Sequence, residues 1–475
     1  MRVTDDGPRT FHIRTFGCQM NEHDSERLAG ALVADGLVAT DDIEAADVVV
    51  LNTCCIRENA DNKLYGHLGT LKQLRAERPG MQIAVGGCLA QMDGEAIRRR
   101  AGHVDVVFGT HNLTSAPALL RRAAVSGPVV EVLDGPPADA GDPSWGGEQQ
   151  EAALAAVRDL PYAAWVTIQT GCDNSCAYCI VPAVRGPEVS RPLDDLVAEV
   201  RTLAGRGVTE VTLLGQNVNS YGRDITRRGP LFAELLAAVG AVEGIRRVRF
   251  TSPHPKDLRA EVVEAMAATE AVCNHLHLPL QSGSDRVLSA MRRGYTAERY
   301  LERLAAARAA VPDLAVTTDL IVGFPGETDE DAERTLEVVA AAEYDSAYTF
   351  VFSPRPGTRA AAMDDRFVDP VVVTERMERL RAVVERSALR RHEARIGRVE
   401  EVVVEGPSKR DPSQLTGRTG QNKLVHFARP AEGAPAEGSY ADVRVTGAAR
   451  HHLTGELVGV TARPRHRVRI PVSAG

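Results

Sequence analysis

No apolar run in the chain approaches the roughly 18 residues that a membrane-spanning helix needs. The first residues, Met1-Arg2-Val3-Thr4-Asp5-Asp6, lack the apolar core of a secretory signal, so a cytoplasmic location is expected. Eight cysteines in 475 residues are too few for a disulfide framework, and a reducing compartment would keep them as thiols. Metal ligation or catalysis is the better reading of them. A large net charge is missing too: the formal value of −8 does not describe a nucleic-acid binder as a whole. The charge is unevenly spread, however. From Glu393 onward there are 13 Lys and Arg against 9 Asp and Glu, a net +4, against −12 for the residues before it. A basic C-terminal module on an acidic body points to a polyanionic partner, with an ordinary solvated surface as the plainer alternative.

What is present describes a folded, multidomain chain. Hydrophobic residues make up 44% and charged residues 25%, and the length suggests roughly two to four domains. Residues 10–127 alternate short apolar runs at 11–16, 47–51, 82–85 and 104–108 with stretches of helical periodicity. That alternation predicts a parallel sheet with covered faces. Turn formers cluster at Asp134-Gly135-Pro136-Pro137 and Gly141-Asp142-Pro143-Ser144, marking 128–160 as a linker. The alternation resumes over 161–392, with strands expected at 164–169, 208–214, 247–251, 275–280, 315–322 and 347–352. Helices are expected at 194–203, 231–239, 297–309 and 331–342. Six units fall short of the eight, in about 250 residues, that close a barrel, so a partial (β/α)6 barrel is predicted. A long polar helix over 370–394 follows. Short strands at 399–405, 424–427, 440–445 and 456–460 then predict a small all-β barrel or sandwich over 393–461. Residues 462–475, with Arg463-Pro464-Arg465-His466-Arg467, read as a loose basic tail.

The chemistry lies in the cysteines. Cys172, Cys176 and Cys179 form a C-x3-C-x2-C run just after a predicted strand, three thiolates within eight residues. Zinc would want a fourth ligand, and none is evident nearby in the sequence. A four-iron cluster on three thiolates keeps one iron open to an exogenous ligand, as a chelating substrate requires. Cys18, Cys54 and Cys88 are more dispersed, at intervals of 36 and 34 residues, about one βαβ unit each. Each follows a predicted strand, which places them at one carboxyl edge of a parallel sheet, where such folds bind ligands. They form a second three-cysteine site or are three separate packing residues. Cys55 and Cys273 read as structural.

These motifs, taken together, resemble the radical S-adenosylmethionine methylthiotransferases. The resemblance rests on the C-x3-C-x2-C run with Tyr178 before its last cysteine, on Thr15-Phe16-Gly17-Cys18-Gln19-Met20-Asn21, Asn52-Thr53-Cys54 and Gly86-Gly87-Cys88, and on Arg185-Gly186 with Ser190-Arg191-Pro192. It continues in LGQNVNSYG at 214–222, HLPLQSGS at 277–284 and DLIVGFPGE at 319–327. Within that family, NTCCIRE at 52–58 and the stretch 216–222 are most similar to the branch of tRNA-2-methylthio-N6-dimethylallyladenosine synthases, although Cys55 stands where relatives commonly carry a small residue other than cysteine.

The resemblance implies a radical-SAM barrel flanked by an N-terminal α/β domain and a TRAM-like β-barrel. It implies a [4Fe-4S] cluster on Cys172, Cys176 and Cys179 that cleaves S-adenosylmethionine to a 5′-deoxyadenosyl radical, and an auxiliary [4Fe-4S] cluster on Cys18, Cys54 and Cys88. Two S-adenosylmethionine molecules would serve, one as radical source and one as methyl donor, with thiolation at C2 of isopentenyladenosine. No catalytic residue beyond the cluster ligands is implied. Tyr178 matches an aromatic beside the cofactor's adenine. Gln216, Asn217, Gln281 and Ser282 end predicted strands and either touch cofactor or substrate or cap the strand, and Gly323, Pro325 and Gly326 shape a turn. The implied partners are the anticodon arm of tRNA and an external low-potential electron donor, with the chain acting as a monomer and without a membrane. Arg418, Lys423, Arg429 and Arg444 are candidate phosphate contacts. Phe427 and Tyr440 are the few ring candidates in this module, so stacking on several bases is not supported. Alternatives are a methylthiotransferase acting on threonylcarbamoyladenosine or on a ribosomal-protein aspartate, an iron–sulfur RNA-binding redox sensor, and a zinc-stabilised RNA-binding protein.

Overall fold

The computed structural model describes residues 8–55, 58–133, 156–158, 160–226 and 229–464. Most of the expected linker and of the basic tail lies outside these residues. The chain divides into two compact units. The first comprises residues 1–159, 169–175 and 179–192, and the second comprises 160–168, 176–178 and 193–475.

The first unit is built on a six-stranded parallel sheet in the order β2-β1-β3-β4-β5-β6. Its strands are β1 (Thr10–Phe16), β2 (Val38–Ala39), β3 (Val48–Thr53), β4 (Gln82–Gly87), β5 (Val106–Phe108) and β6 (Val129–Glu131). Strands β3 and β4 are buried at every position, as their unbroken apolar runs require of a parallel sheet covered on both faces. The helix Gln19–Ala34 and the helix Ala116–Ser126 pack with one apolar layer, Leu28, Leu32, Leu119 and Leu120. Leu64, Leu68, Leu71, Leu89 and Ile97 form another. β6 was not foreseen. Its valines pair with Val106 and Val107, which carries the sheet past residue 127. A short hairpin of β8 (Gln169–Thr170) and β9 (Val189–Ser190) also belongs to this unit.

The second unit contains two three-stranded parallel sheets. One is ordered β11-β10-β7, from β7 (Ala163–Thr167), β10 (Glu210–Leu214) and β11 (Arg247–Phe250). The other is β12-β13-β14, from β12 (His275–His277), β13 (Ala315–Val322) and β14 (Ser346–Val351). A single bridge, Val248 to Val272, continues the first sheet toward the second. The expected six units are thus present as a partial barrel around one apolar core that includes Val211, Leu213, Leu276, Leu320 and Val339.

The helix Pro370–Glu393 leads into a closed five-stranded barrel ordered β15-β16-β17-β19-β18. It comprises β15 (Val399–Pro407), β16 (Gln414–Thr419), β17 (Leu424–Ala428), β18 (Tyr440–Ala448) and β19 (Leu453–Ala462). The sequence reading missed β16. Gln-Leu-Thr-Gly-Arg-Thr has little apolar signal, yet it alternates in burial because Leu415, Gly417 and Thr419 point inward.

The small barrel is tied to the partial barrel by charged groups. Arg247 donates to the carbonyls of Arg418 (2.6 Å) and Glu401 (2.9 Å). Arg249 donates to those of Thr419 (2.9 Å) and Gly420 (3.0 Å), and its Nε lies 3.1 Å from Glu210. Lys423 Nζ donates to Asp345 Oδ1 at 2.6 Å, with both side chains buried. Among the described residues no helix is long and apolar enough to cross a membrane.

Candidate iron–sulfur and nucleoside site

Register explains why the dispersed cysteines share one edge. Phe16 lies opposite Thr53, and Thr53 opposite Gly87. Cys54 and Cys88 therefore follow paired residues directly, and Cys18 follows Phe16 by two. Adjacent strands lie about 4.8 Å apart, so β1, β3 and β4 deliver the three thiols side by side. A Cβ built on Gly17 would come within 2.9 Å of Cys54 Cβ, so the residue before Cys18 must lack a side chain for the chain to pass there. Below the edge, Asn21 and Asn52 lock the turns together. Asn21 donates to Thr53 O (3.3 Å), and Asn52 donates to Asn21 O (2.8 Å) and Ser25 Oγ (2.9 Å).

The electrostatics of this edge favour thiolates. A hydrogen bond from Cys54 is the main influence drawing the Cys18 thiol down to about 6, against burial and with help from Arg185. Cys88 is drawn down to about 7, chiefly by a hydrogen bond from Cys55, again with Arg185 contributing. Cys55, as the donor, is pushed upward by that same contact and by burial. It lies fully buried in the apolar layer with Leu64 and Leu89, so the expected structural cysteine sits in contact with the site.

Sequence reading singled out neither Arg185 as a charge nor its partner Asp24. Arg185 ends the helix Val181–Arg185, and its Nη2 donates to Asp24 Oδ2 at 2.8 Å, with both side chains under one-tenth exposed. Burial alone would favour loss of its proton, but Cys88, Asp24 and Cys18 hold it well above the ordinary arginine value. The signal was there in the Arg185-Gly186 match, but nothing in its spacing gave the direction of the side chain.

The C-x3-C-x2-C loop is shared between the two units, and each part has its own supports. In the first unit, Cys172 N donates to Gly186 O (3.1 Å), and Asp173 Oδ1 accepts from Glu188 N (3.0 Å). Gly171 has φ +74°, and a Cβ there would fall 1.8 Å from Pro187 O. Only glycine fits a position both left-handed and pressed against backbone. In the second unit, Ala177 N donates to Met291 O (3.0 Å), its carbonyl accepts from Ala360 N (2.9 Å), and Arg293 Nη1 donates to Cys176 Sγ (3.3 Å). Ala177 packs with Val287, Met291, Phe324 and Ala360, and Tyr178 lies against this apolar group.

The strand-end polar residues divide in two. Asn217 donates through Nδ2 to Asp257 Oδ2 (2.9 Å), and Ser282 Oγ accepts from Ser284 N (3.2 Å) beside Thr335 Oγ1, so each has at least one side-chain partner within the protein. Gln216 has both amide atoms buried with no hydrogen-bond partner, as has Gln281 Oε1. Gln281 also has φ +69°, a conformation that costs a non-glycine residue about 1–2 kcal/mol. Buried amides without partners are costly, and here they mark places where a ligand would supply donors and acceptors. Gly323 and Gly326 both have positive φ in the turn after β13, where Glu327 Oε1 accepts from Gly323 N (3.2 Å).

Among the described residues, no three His, Cys, Asp or Glu side chains close on a single ion position. Soft sulfur donors beside buried cations nevertheless suit a polynuclear anionic group. Cys273 is buried near Arg249, with its thiol pushed up by burial.

On the small barrel, Lys423 departs from its expected role. It is 5% exposed and consumed by Asp345, so it is unavailable to a phosphate. Arg418 is paired with Glu405 (2.5 Å), while Arg429 and Arg444 are exposed. Phe427 and Tyr440 are buried, so neither ring offers a stacking face.

Comparison with known proteins agrees with this layout. Residues 166–339 match the radical SAM superfamily, 10–109 match Uncharacterized protein family UPF0004, and 393–458 match the TRAM domain. A protein of Acidothermus cellulolyticus named tRNA-2-methylthio-N(6)-dimethylallyladenosine synthase is 51% identical over 464 residues, 97% of this chain and 90% of its own length. A protein of the same name from Mycobacteroides abscessus is 49% identical over 479 residues, covering 98% of this chain and 92% of its own. The structure of a radical S-adenosylmethionine methyltransferase from Kitasatospora setae, with cobalamin and a [4Fe-4S] cluster bound, shares the fold. Its TM-score is 0.53 at 15% identity, over 74% of this chain and 77% of that one.

Proposed function

The chain belongs to the tRNA-2-methylthio-N(6)-dimethylallyladenosine synthase family, and we propose that it attaches a methylthio group to C2 of N6-isopentenyladenosine beside the anticodon of tRNA. On this reading Cys172, Cys176 and Cys179 hold one [4Fe-4S] cluster, and Cys18, Cys54 and Cys88 hold a second. When bound, these groups supply one-electron cleavage of S-adenosylmethionine and a sulfur-bearing centre. The observation that carries the reading is the register of β1, β3 and β4, which sets three thiols side by side at a strand end beside the buried Arg185.

The remaining work falls to the protein's own side chains. Arg185 offsets the negative charge of the thiolates, and Asp24 keeps its guanidinium in place. The unpartnered amides of Gln216 and Gln281 give the cofactor or the adenine edge a donor and two acceptors. Ala177, Met291 and Phe324 keep water from the loop that carries Cys176. Arg429 and Arg444 meet phosphates of the anticodon arm. An external low-potential donor supplies the electron, and the chain works as a cytoplasmic monomer.

Anaerobic reconstitution followed by assay of 5′-deoxyadenosine and of tRNA nucleosides tests this. Cys88→Ala should still cleave the cofactor but form no thiolated nucleoside, whereas Cys176→Ala should do neither. Thiolated product from Cys88→Ala would overturn the assignment. A 2-methylthio derivative of threonylcarbamoyladenosine, in place of isopentenyladenosine, would move the chain to the other tRNA branch.

A further inference from the structure

Arg293 is 5% exposed, and among the described residues it makes no ion pair with a carboxylate. Four other buried guanidiniums each face one. Arg185 has Asp24, Arg249 has Glu210, Arg376 has Glu327 and Arg395 has Glu400. Placing a guanidinium out of water costs several kcal/mol unless an anion and good hydrogen bonds compensate. The hydrogen-bond acceptors of Arg293 are Tyr295 Oη, which accepts from Nε at 3.2 Å, and Cys176 Sγ, which accepts from Nη1 at 3.3 Å, and the phenol of Tyr178 also acts on its charge. A phenol is neutral. The sulfur is the one partner that can carry the balancing negative charge.

The backbone is bent to hold this contact. The helix Asp285–Ala290 ends in a reversal in which Arg293 N donates to Leu288 O (3.0 Å) and Arg292 N to Ser289 O (3.0 Å). Arg292 sits at φ +59°, where glycine is the usual residue. The reversal carries Met291 O to Ala177 N and turns the side chain of Arg293, two residues on, onto Cys176. Tyr295 is fixed in turn by donating to Leu280 O (2.8 Å), so the guanidinium is held from both ends.

We propose that Arg293 is a positioning residue whose guanidinium is the counter-ion of the Cys176 thiolate, setting the reduction potential of the iron–sulfur cluster bound there. This deepens the reading above and rests on it. A fixed positive charge donating to a cluster sulfur stabilises the reduced form, which carries one more negative charge. Arg293 therefore makes the centre easier to reduce for a given electron donor.

The test is a potentiometric titration of the anaerobically reconstituted full chain, followed by electron paramagnetic resonance. The signal that changes on adding S-adenosylmethionine identifies this centre. Arg293→Met should leave iron content near wild type and lower the reduced-to-oxidised ratio at least tenfold at the wild-type midpoint. For a one-electron couple that is a shift of about 59 mV to more negative potential. Arg293→Lys, which retains the charge, should recover most of it. Wild-type potential in Arg293→Met at full iron content would overturn the proposal. Should Arg293→Met lose this centre's iron, its retention in Arg293→Lys supports the charge role, and equal loss in both overturns it. Independently of any variant, 15N-labelled arginine in the wild type should couple to the S-adenosylmethionine-sensitive signal, and absence of that coupling would also overturn it. A wild type with no such signal at all would instead remove the cluster reading itself.

Discussion

Lys423→Ala is the substitution whose outcome the structure fixes most tightly. Its ammonium lies 2.6 Å from Asp345 Oδ1, with side-chain exposures of 3% and 7%. At an effective dielectric of about 20, opposite charges at that distance attract by roughly 6 kcal/mol. Most of this offsets the desolvation of the two ions. Removing one partner is costlier than the net value of the pair, because Asp345 stays buried with its charge and keeps the donor Val316 N on its other oxygen (2.8 Å). A loss of about 3–5 kcal/mol is expected. Urea unfolding of the full chain, followed by circular dichroism, should show the second unit melting earlier by that amount. Lys423→Met combined with Asp345→Asn should recover most of it. The slope of log tRNA affinity against log salt should be unaffected by Lys423→Ala under conditions where the variant is folded. A stability change within about 0.5 kcal/mol, together with a slope reduced by one phosphate contact, would show that the lysine faces RNA and would refute the buried-pair argument.

Other expectations follow from the same geometry. Arg429→Ala and Arg444→Ala should each leave folding intact and reduce the tRNA salt slope by about 0.7–0.9, measured by filter binding across a salt series. Asp24→Asn should destabilise the first unit by about 3–5 kcal/mol, because Arg185 is left buried among thiols, and hydrogen exchange of β1 and β3 would report it. Gly171→Ala should cost at least about 2 kcal/mol and lower iron loading of the adjacent cysteine loop, since φ +74° and the Pro187 carbonyl both oppose a Cβ. His392 is 5% exposed with Nδ1 against Ala449 O, and burial lowers its pKa to about 4 from 6.5. The unfolded chain therefore binds this proton first. Its contribution is intact above pH 6.5 and falls by about 2–3 kcal/mol as pH drops toward 4, where His392→Gln should flatten the pH dependence of thermal unfolding.

Much of this architecture was written in local pattern. Val48-Val49-Val50-Leu51 and Ile83-Ala84-Val85 are apolar runs too short for helices, and their spacing is one βαβ unit, so strand, direction and cysteine edge followed together. The sharing of that edge required only that parallel strands be neighbours. Local pattern was silent where a side chain's fate depends on a distant segment. Lys423 reads as one cation in a basic module until Asp345, 78 residues earlier, is brought against it. Arg293 follows a short helix with no motif of its own, and Cys176 lies 117 residues away. Gln216 and Gln281 could be placed at strand ends but not distinguished from Asn217 and Ser282, because satisfaction of an amide is a property of the assembled structure.

The small C-terminal barrel behaves as a wall of its neighbour. Tyr162, at the entry to β7, is buried in one apolar group with Val403 and Tyr440, and Tyr440 Oη reaches back to Thr209 Oγ1 at 3.1 Å. Four backbone carbonyls of that barrel serve as acceptors for Arg247 and Arg249. A chain cut before Val399 would strip those arginines of these four carbonyls and uncover Tyr162 at the entry to β7. Loss of tRNA modification in such a truncation would therefore report a collapsed catalytic scaffold as readily as a missing RNA grip, and the two roles can be separated only by point changes on the barrel's outer face.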